Sequence, residues 1–388
     1  MTDRLQHQHI GSTSRTQHGQ ERWFTVTTRL ETNSPSKSVV IKVGTSSLVT
    51  GGKLDLEKVG MLCTTVAAGI ESGLAPVLVT SGAIAMGRTR HEALSTATPA
   101  ARQTAAALGQ GFLYSALRER FAGLGIETAQ LLLTPADLTE PERGAELRPA
   151  LELMRTLSVV PVVNENDVLG VRNNDVLAAV LSGYLRAGLL LLLTDVPGLY
   201  DQGRPLPGGR PRPIPEAVDE VTTIEAAVIG GAGAGGTGGM LAKLSACWIA
   251  THAGVRTVIA HAADPSALLA AHRGDPVGTA FPPRPLSVDP PDLGRLWRAF
   301  RTPPRGTVMC NPHGLQAVGQ GQPLWRGHAT GLRGSFEAGD VVDIAGPNAR
   351  AVARGSVRLA ANSLNAPDSL LFHPSDYVQL LESSHVGD

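Results

Sequence analysis

Lysine is the scarce residue of this chain, and its placement points to chemistry. Of 34 basic residues only five are lysines, at positions 37, 42, 53, 58 and 243, so Lys243 is the sole lysine after residue 58. Lys42 lies inside the β-branched run "SVVIKVG". An ammonium among apolar strand residues needs an anionic partner, because burying it alone is costly; the bland alternative is an edge strand whose lysine reaches out to water. Lys243 closes "GAGAGGTGGMLAKL", a glycine-rich stretch that passes into a helical pattern with Met240, Leu244 and Trp248 at helical spacing. Such a stretch is either slack between elements or a phosphate cradle. The lysine about one turn into the helix favours the cradle, formed by the amides of Gly236, Thr237, Gly238 and Gly239, the helix amino end and Lys243. A G-x-G-x-x-G match at Gly231, Gly233 and Gly236 carries little weight. No strand precedes it, and Arg256 stands where a dinucleotide fingerprint needs an acid. A Walker loop is excluded by Ala242 and Leu244.

Four loops follow apolar runs. "IKVGTSS" places Gly44 beside Lys42, and "LVTSGAIAMG" offers Ser81 and the amides of Gly82 and Ala83 to an anion at a helix start. "VVNENDVLGVRNNDVLAA" crowds Asn164, Glu165, Asn166, Asp167, Asn173, Asn174 and Asp175 after a strand: carboxylates for an amino group, amides for a carboxylate, or a merely solvated loop. "LLLTDVPGLYD" brings Thr194 and Asp195 to the end of the most apolar run, where the plain alternative is a turn.

The elements that must position these loops alternate. Short apolar runs at Val39 to Val43, "PVLVTSG", "IETAQLLLT", "SVVPVVNEND" and "LLLLLTDV" are separated by amphipathic stretches at Leu56 to Ser72, Arg102 to Gly123, Glu140 to Leu157 and about Asn174 to Ala187. A helix over Gly239 to Ala253 and a run "VRTVIAHA" follow the glycines. This alternation predicts an α/β, three-layer αβα sandwich around a mainly parallel sheet, with ligands at the strand carboxyl ends. Residues 1–37, rich in Gln, His, Ser and Thr, are expected to be a disordered tail, 38–281 the α/β domain, 282–304 a proline-rich linker, and 305–380 a small β-barrel module.

Composition narrows the partners. The net charge is zero, and residues 301–388 hold seven arginines against seven acids with no lysine, so nucleic acid is an unlikely partner of the terminal module. Cys63, Cys247 and Cys310 stand apart with no ligand spacing, which predicts neither disulfides nor a metal site and fits a reducing, cytoplasmic setting. No signal peptide and no apolar run of roughly 18 residues is legible.

Taken in order, "VVIKVGTSSLVT", "VLVTSGAIAMGR", "QTAAALGQ", "AQLLLT", "VVPVVNEND", "LLLLTDVPGLYD" and "GTGGMLAKLSA" resemble the glutamate 5-kinase family of the amino acid kinase superfamily, and the terminal module is similar to that family's PUA domain. The resemblance spans roughly residues 38 to 380. It implies an enzyme that transfers the γ-phosphoryl group of ATP, with Mg²⁺, to the side-chain carboxylate of L-glutamate, giving γ-glutamyl 5-phosphate for proline biosynthesis. By the same resemblance Lys42, Lys243 and Asp175 would be catalytic. Lys42, Gly44, Thr194, Asp195, Gly236, Thr237, Gly238, Gly239, Met240 and Lys243 would bind ATP. Ser81, Gly82, Ala83, Asp167 and Asn174 would bind the acceptor. A homo-oligomer, and γ-glutamyl phosphate reductase as a partner, are implied as well.

The sequence departs from the family on the acceptor side. Only six residues separate Asp167 from Asn174, where the family usually has a longer stretch, and "RNND" replaces "GDND", so Asn173 stands for an acid and Arg172 for a glycine. "GAELR" at Gly144 to Arg148 replaces "YLNAR", and Ala242 replaces a common Thr. Two alternatives follow: a paralogue acting on a glutamate-like carboxylate in another pathway, or a kinase relic with a regulatory or RNA-binding role.

Overall fold

The computed structural model describes residues 36–170, 173–199, 237–286, 291–363 and 366–380. The expected tail falls almost wholly outside them, as do Gly231 to Gly236.

The α/β portion runs β1 (Ser38–Val43), a hairpin of β2 (Val49–Thr50) and β3 (Lys53–Leu54), α1 (Leu56–Glu71), β4 (Ala75–Val79), α2 (Ala83–Arg88), α3 (Pro99–Ala122), β5 (Thr128–Leu133), α4 (Pro135–Thr139), α5 (Pro141–Thr156), β6 (Val160–Glu165), α6 (Asn174–Tyr184) and β7 (Leu189–Thr194). It continues through α7 (Thr237–His252), β8 (Arg256–His261), α8 (Ala267–Arg273) and β9 (Thr279–Phe281). Seven strands form one sheet in the order β5-β6-β4-β1-β7-β8-β9, parallel throughout except for β9 against β8. The continuous apolar runs read from the sequence are what a sheet covered on both faces requires, and all six residues of β7 are buried.

Alternation along β1 sorts the two cores. Val39, Ile41 and Val43 face one cluster with α1, α3 and α8, whereas Val40 shares the opposite cluster with α4, α5, α6 and α7. By the same period of two, Lys42 points to the layer of α6 and α7. The three-layer sandwich is thus present, and β1 lies at its centre. That removes the edge-strand alternative for Lys42.

The stretch expected to be a proline-rich linker is partly a helix, α9 (Leu293–Phe300). Its Asp292 cap accepts from the backbone N–H of Arg295 at 2.8 Å. Leu293, Leu296, Trp297 and Phe300 recur at i, i+3, i+4 and i+7 and so face one side. Leu296, Ala299 and Phe300 enter the same core as α6 and α7. The prolines flank this helix without interrupting it, and their number masked its pattern in the sequence.

Beyond it, β10 (Gly306–Cys310), α10 (Pro312–Gly319), β11 (Leu324–Trp325), β12 (Ala329–Gly334), β13 (Val341–Ala345), β14 (Ala351–Ser356), β15 (Leu370–Phe372) and β16 (Tyr377–Gln379) build a small β module. A five-stranded sheet in the order β12-β10-β13-β14-β16 and a β11·β15 pair enclose their own core. Within it Asp343 and Arg354, cross-strand partners on β13 and β14, form a buried pair with Nε to Oδ1 at 2.7 Å. The module is tied back by Arg284 donating to the Leu380 carbonyl at 2.8 Å and Arg298 to that of Ser375 at 3.1 Å.

Candidate active site

Parallel strands align their carboxyl ends, and here the ends of β1, β4, β6 and β7 open onto one cleft of about 690 Å³. Lys42, Gly44, Ser81, Gly82, Ala83, Asp167, Asn174, Asp175, Thr194, Asp195, Gly239, Met240 and Lys243 all line it. The structure therefore brings together the expected site residues that it describes, apart from Thr237 and Gly238. Thr237 and Gly238 open α7 beside the cleft, and Gly236 lies outside the described residues.

At its centre is a three-residue ionic cluster. Lys42 Nζ is 2.6 Å from Asp175 Oδ1, and Lys243 Nζ is 3.7 Å from Asp175 Oδ2. The three residues are 4%, 8% and 5% exposed for Lys42, Lys243 and Asp175. Each comes from a different element. β1 aims Lys42 at the α6 and α7 layer, and α7 presents Lys243 from its second turn. Asp175 sits in the first turn of α6, where the helix dipole favours a carboxylate. Asn173 caps that helix, accepting from the Asp175 backbone N–H at 2.8 Å, and so fixes where the carboxylate emerges. Burial pulls the Lys42 ammonium pKa down, the Asp175 carboxylate pushes it back up, and the nearby Lys243 charge lowers it again. Two cations share one anion, so the cluster carries a surplus positive charge facing the cleft. A ligand bearing several negative charges would complete it.

The neighbouring turns shape the cleft. Gly82 caps α2 with φ 114°, a left-handed conformation that glycine adopts without strain, and so turns the chain sharply between β4 and α2. Gly44 is buried, its N–H bonded to the Leu193 carbonyl of β7 at 3.1 Å, which ties the first turn to the end of the next strand. Thr194 is buried and donates to Asp195 Oδ1 at 3.1 Å, leaving the exposed Asp195 at the rim.

The other half of the cleft is built from amides and acids. The Glu165 backbone N–H lies 2.9 Å from both Asn164 Oδ1 and Asn174 Oδ1, so the end of β6 and the start of α6 are stitched through one donor. Burial lifts the Asp167 carboxyl to about 6, partly countered by the Arg102 charge. The Asp167–Leu169 turn is itself held by Gln103 donating to the Val168 carbonyl at 2.9 Å.

Thr45 and Ser46 also line the cleft, as do Asn164, Glu165 and Asn173, which the sequence places in the polar cluster after the strand but to which the resemblance gave no role. Asn164 and Glu165 are 2% and 3% exposed at a strand end. The signal for them was present, since two polar residues completing an apolar strand must find partners when buried. Among the described residues no group of three or more His, Cys, Asp or Glu side chains could hold a metal ion. No helix among them is long and apolar enough to cross a membrane.

Comparison with known proteins agrees with this geometry. The family model described as "Amino acid kinase family" matches residues 37–261, from the first strand to the end of β8. The chain is therefore built as an amino acid kinase. Among its relatives are glutamate 5-kinases from Trichlorobacter lovleyi, 36% identical over 91% of this chain and 94% of the relative, and from Shewanella amazonensis, 37% identical over 91% and 93%. Another, from Thermobifida fusca, is 36% identical over 86% of each chain. Within the amino acid kinases, this chain belongs to the glutamate 5-kinase family.

Proposed function

We propose that the protein transfers the γ-phosphoryl group of ATP to the side-chain carboxylate of L-glutamate, forming γ-glutamyl 5-phosphate, the first step of proline biosynthesis. The observation that carries the reading is the buried Lys42–Asp175–Lys243 cluster above the central strand of an amino acid kinase sheet.

A carboxylate is ionised at neutral pH, so its attack on phosphorus needs no general base. A carboxylate oxygen bonds to the γ-phosphorus as the bond from that phosphorus to the ADP oxygen breaks, and ADP departs with the electron pair. The protein's task is alignment and the neutralisation of charge spread over the phosphoryl oxygens. Lys42 and Lys243 would supply that charge and Asp175 would hold both in place. Gly44, Thr194, Asp195, Met240 and the Gly236 to Gly239 segment would hold the nucleotide. Mg²⁺ would arrive as part of the Mg·ATP substrate. Ser81 and the amides of Gly82 and Ala83 would receive one carboxylate of the acceptor, while Asp167 and Asn174 would bind its amino-acid end. The product is an activated acyl phosphate that water destroys, so its consumer would be a reductase acting close by. We infer a homo-oligomer as the working form, a domain division near residues 281 and 305, and a cytoplasmic setting.

Hydroxylamine trapping of the acyl phosphate, run with glutamate, aspartate, N-acetylglutamate and other glutamate-like carboxylates, tests the reading. Glutamate should give ATP-dependent hydroxamate. Turnover of an analogue with none of glutamate would replace the acceptor, and no turnover of any carboxylate would remove the kinase reading altogether.

A further inference from the structure

One helix braces the acceptor side of the cleft from behind. α3 and α2 meet backbone to backbone: a Cβ on Gly109 would collide with the carbonyl oxygen of Ala83, and one on Gly87 with that of Ala105. Ala83 opens the helix of the β4 turn, so the position of α3 sets where the Gly82 and Ala83 amides stand. The next residue along α3, Gln110, reaches the floor of the same half-site. It is 7% exposed, and its Oε1 accepts from Asn164 Nδ2 at 2.5 Å.

The polarity of that contact is fixed. Asn164 Oδ1 accepts from the Glu165 backbone N–H, a group that can only donate, so Nδ2 must face Gln110 and the Gln110 oxygen must face Nδ2. The Asn164 amide therefore has one orientation, with one Nδ2 hydrogen engaged by Gln110, and the residue itself lines the cleft. Gln110 Nε2 is buried and has no hydrogen-bond partner among the described residues. A methionine of similar volume would remove that unmet donor but would leave Asn164 Nδ2 without its acceptor, so what the glutamine secures at this position is the Asn164 amide.

We propose that Gln110 is a positioning residue for the acceptor: it holds the Asn164 amide so that the remaining Nδ2 hydrogen donates to a carboxylate of the acceptor molecule. This rests on the kinase reading above and assigns a determinant of acceptor affinity outside the cleft lining. Glutamine suits the task because the brace is neutral and leaves the charge balance of the cleft unchanged.

The test is a cycle in the full chain, with KM for glutamate and for ATP measured separately. Gln110→Met should raise the glutamate KM about tenfold, the effect of misplacing one hydrogen bond to a charged group, with kcat and the ATP KM within about twofold of the parent. Gln110→Glu, which still accepts from Asn164, should recover most of the affinity. In an Asn164→Ala background Gln110→Met should add nothing further. Gln110→Leu serves as the apolar variant should methionine not fold. An unchanged glutamate KM, an equal rise in the Asn164→Ala background, or a parallel rise in both KM values overturns the proposal. Turnover of glutamate by the parent is measured first and belongs to the earlier reading; were glutamate inert, the same cycle on the carboxylate that is turned over decides the role of Gln110.

Discussion

The two halves of the cleft solve opposite electrostatic problems. On the side of Lys42 and Lys243, to which the proposed function assigns the phosphoryl group, two ammonium groups and one carboxylate are nearly water-free, and the cluster holds positive charge that a polyanion would complete. On the acceptor side the groups are mostly amides in a hydrogen-bonded chain from Gln110 through Asn164 to the Glu165 N–H and Asn174, with Asp167 the acid whose ionisation burial opposes. The difference teaches where sequence change is tolerated. A buried ionic cluster cannot lose its shared carboxylate without stranding both ammonium groups, whereas an amide network can exchange members at the cost of one hydrogen bond. Of the departures from the family pattern, the shortened segment before Asn173 falls on the second side, Asn173 at the joint between the two, and Ala242 beside Lys243 on the first.

Removing Asp175 should break the first half most severely. Asp175→Ala leaves two ammonium groups buried without their counter-charge, which should cost about 3–5 kcal/mol of stability, read by denaturant unfolding, with activity lost in parallel. Lys243→Ala should leave the fold intact by circular dichroism yet lower kcat on the order of 10²- to 10³-fold; a change under threefold would remove Lys243 from the reaction. Asp167→Asn separates binding from stability on the other side. The glutamate KM should rise about tenfold, the value of one hydrogen bond to a charged group. Because the folded-state pKa of Asp167 is raised, its penalty to stability is absent below the unfolded pKa, grows as pH rises from there toward about 6, and is fully present above it. Asparagine should thus stabilise the fold by on the order of 1–2 kcal/mol at about pH 8 and by nothing near about pH 3.5. In the parent, the glutamate KM should climb as pH falls through about 6 and Asp167 takes up a proton, while the ATP KM should not follow it. The smallest effect is expected at the joint between the halves: Asn173→Ala removes the α6 cap for about 1 kcal/mol, and Asn173→Asp, an equally good cap, should restore it in a thermal melt.

Much of this was legible in the sequence for definite physical reasons. Strands covered on both faces read as unbroken apolar runs, so Leu189–Thr194 announced a central element. Lysine scarcity drew attention to Lys42 and Lys243, but not to what joins them. Asp175 sits among six other polar residues after β6, and spacing alone does not say which acid turns inward; the resemblance to a family supplied that expectation. Asn164 and Glu165 belonged to the same polar cluster and were passed over, since which of them a strand end buries depends on its pairing with β4 and β5. Gln110 ends the stretch "QTAAALGQ" that carries part of the resemblance, but its role was not legible because a glutamine on an alanine-rich helix looks like surface until the helix is placed. α9 was missed for the opposite reason: its four apolar residues have clear helical spacing, but the prolines on either side drew the reading toward a linker.

The pairing of Lys42 with Asp175 also bears on how the chain reaches its native arrangement. The two residues come from elements far apart in sequence, and they meet only once β1 lies between β4 and β7 in the observed register and α6 has docked on that face. A slip of one residue would turn Lys42 into the apolar layer of α1 and α3. β1 is otherwise nearly uniform valine and isoleucine, so shifted pairings of the strand would bury similar apolar surface and differ little in energy. The single charge makes them unequal. A lysine that faces the cleft in the finished protein would thereby act during assembly as a proofreader of the central strand.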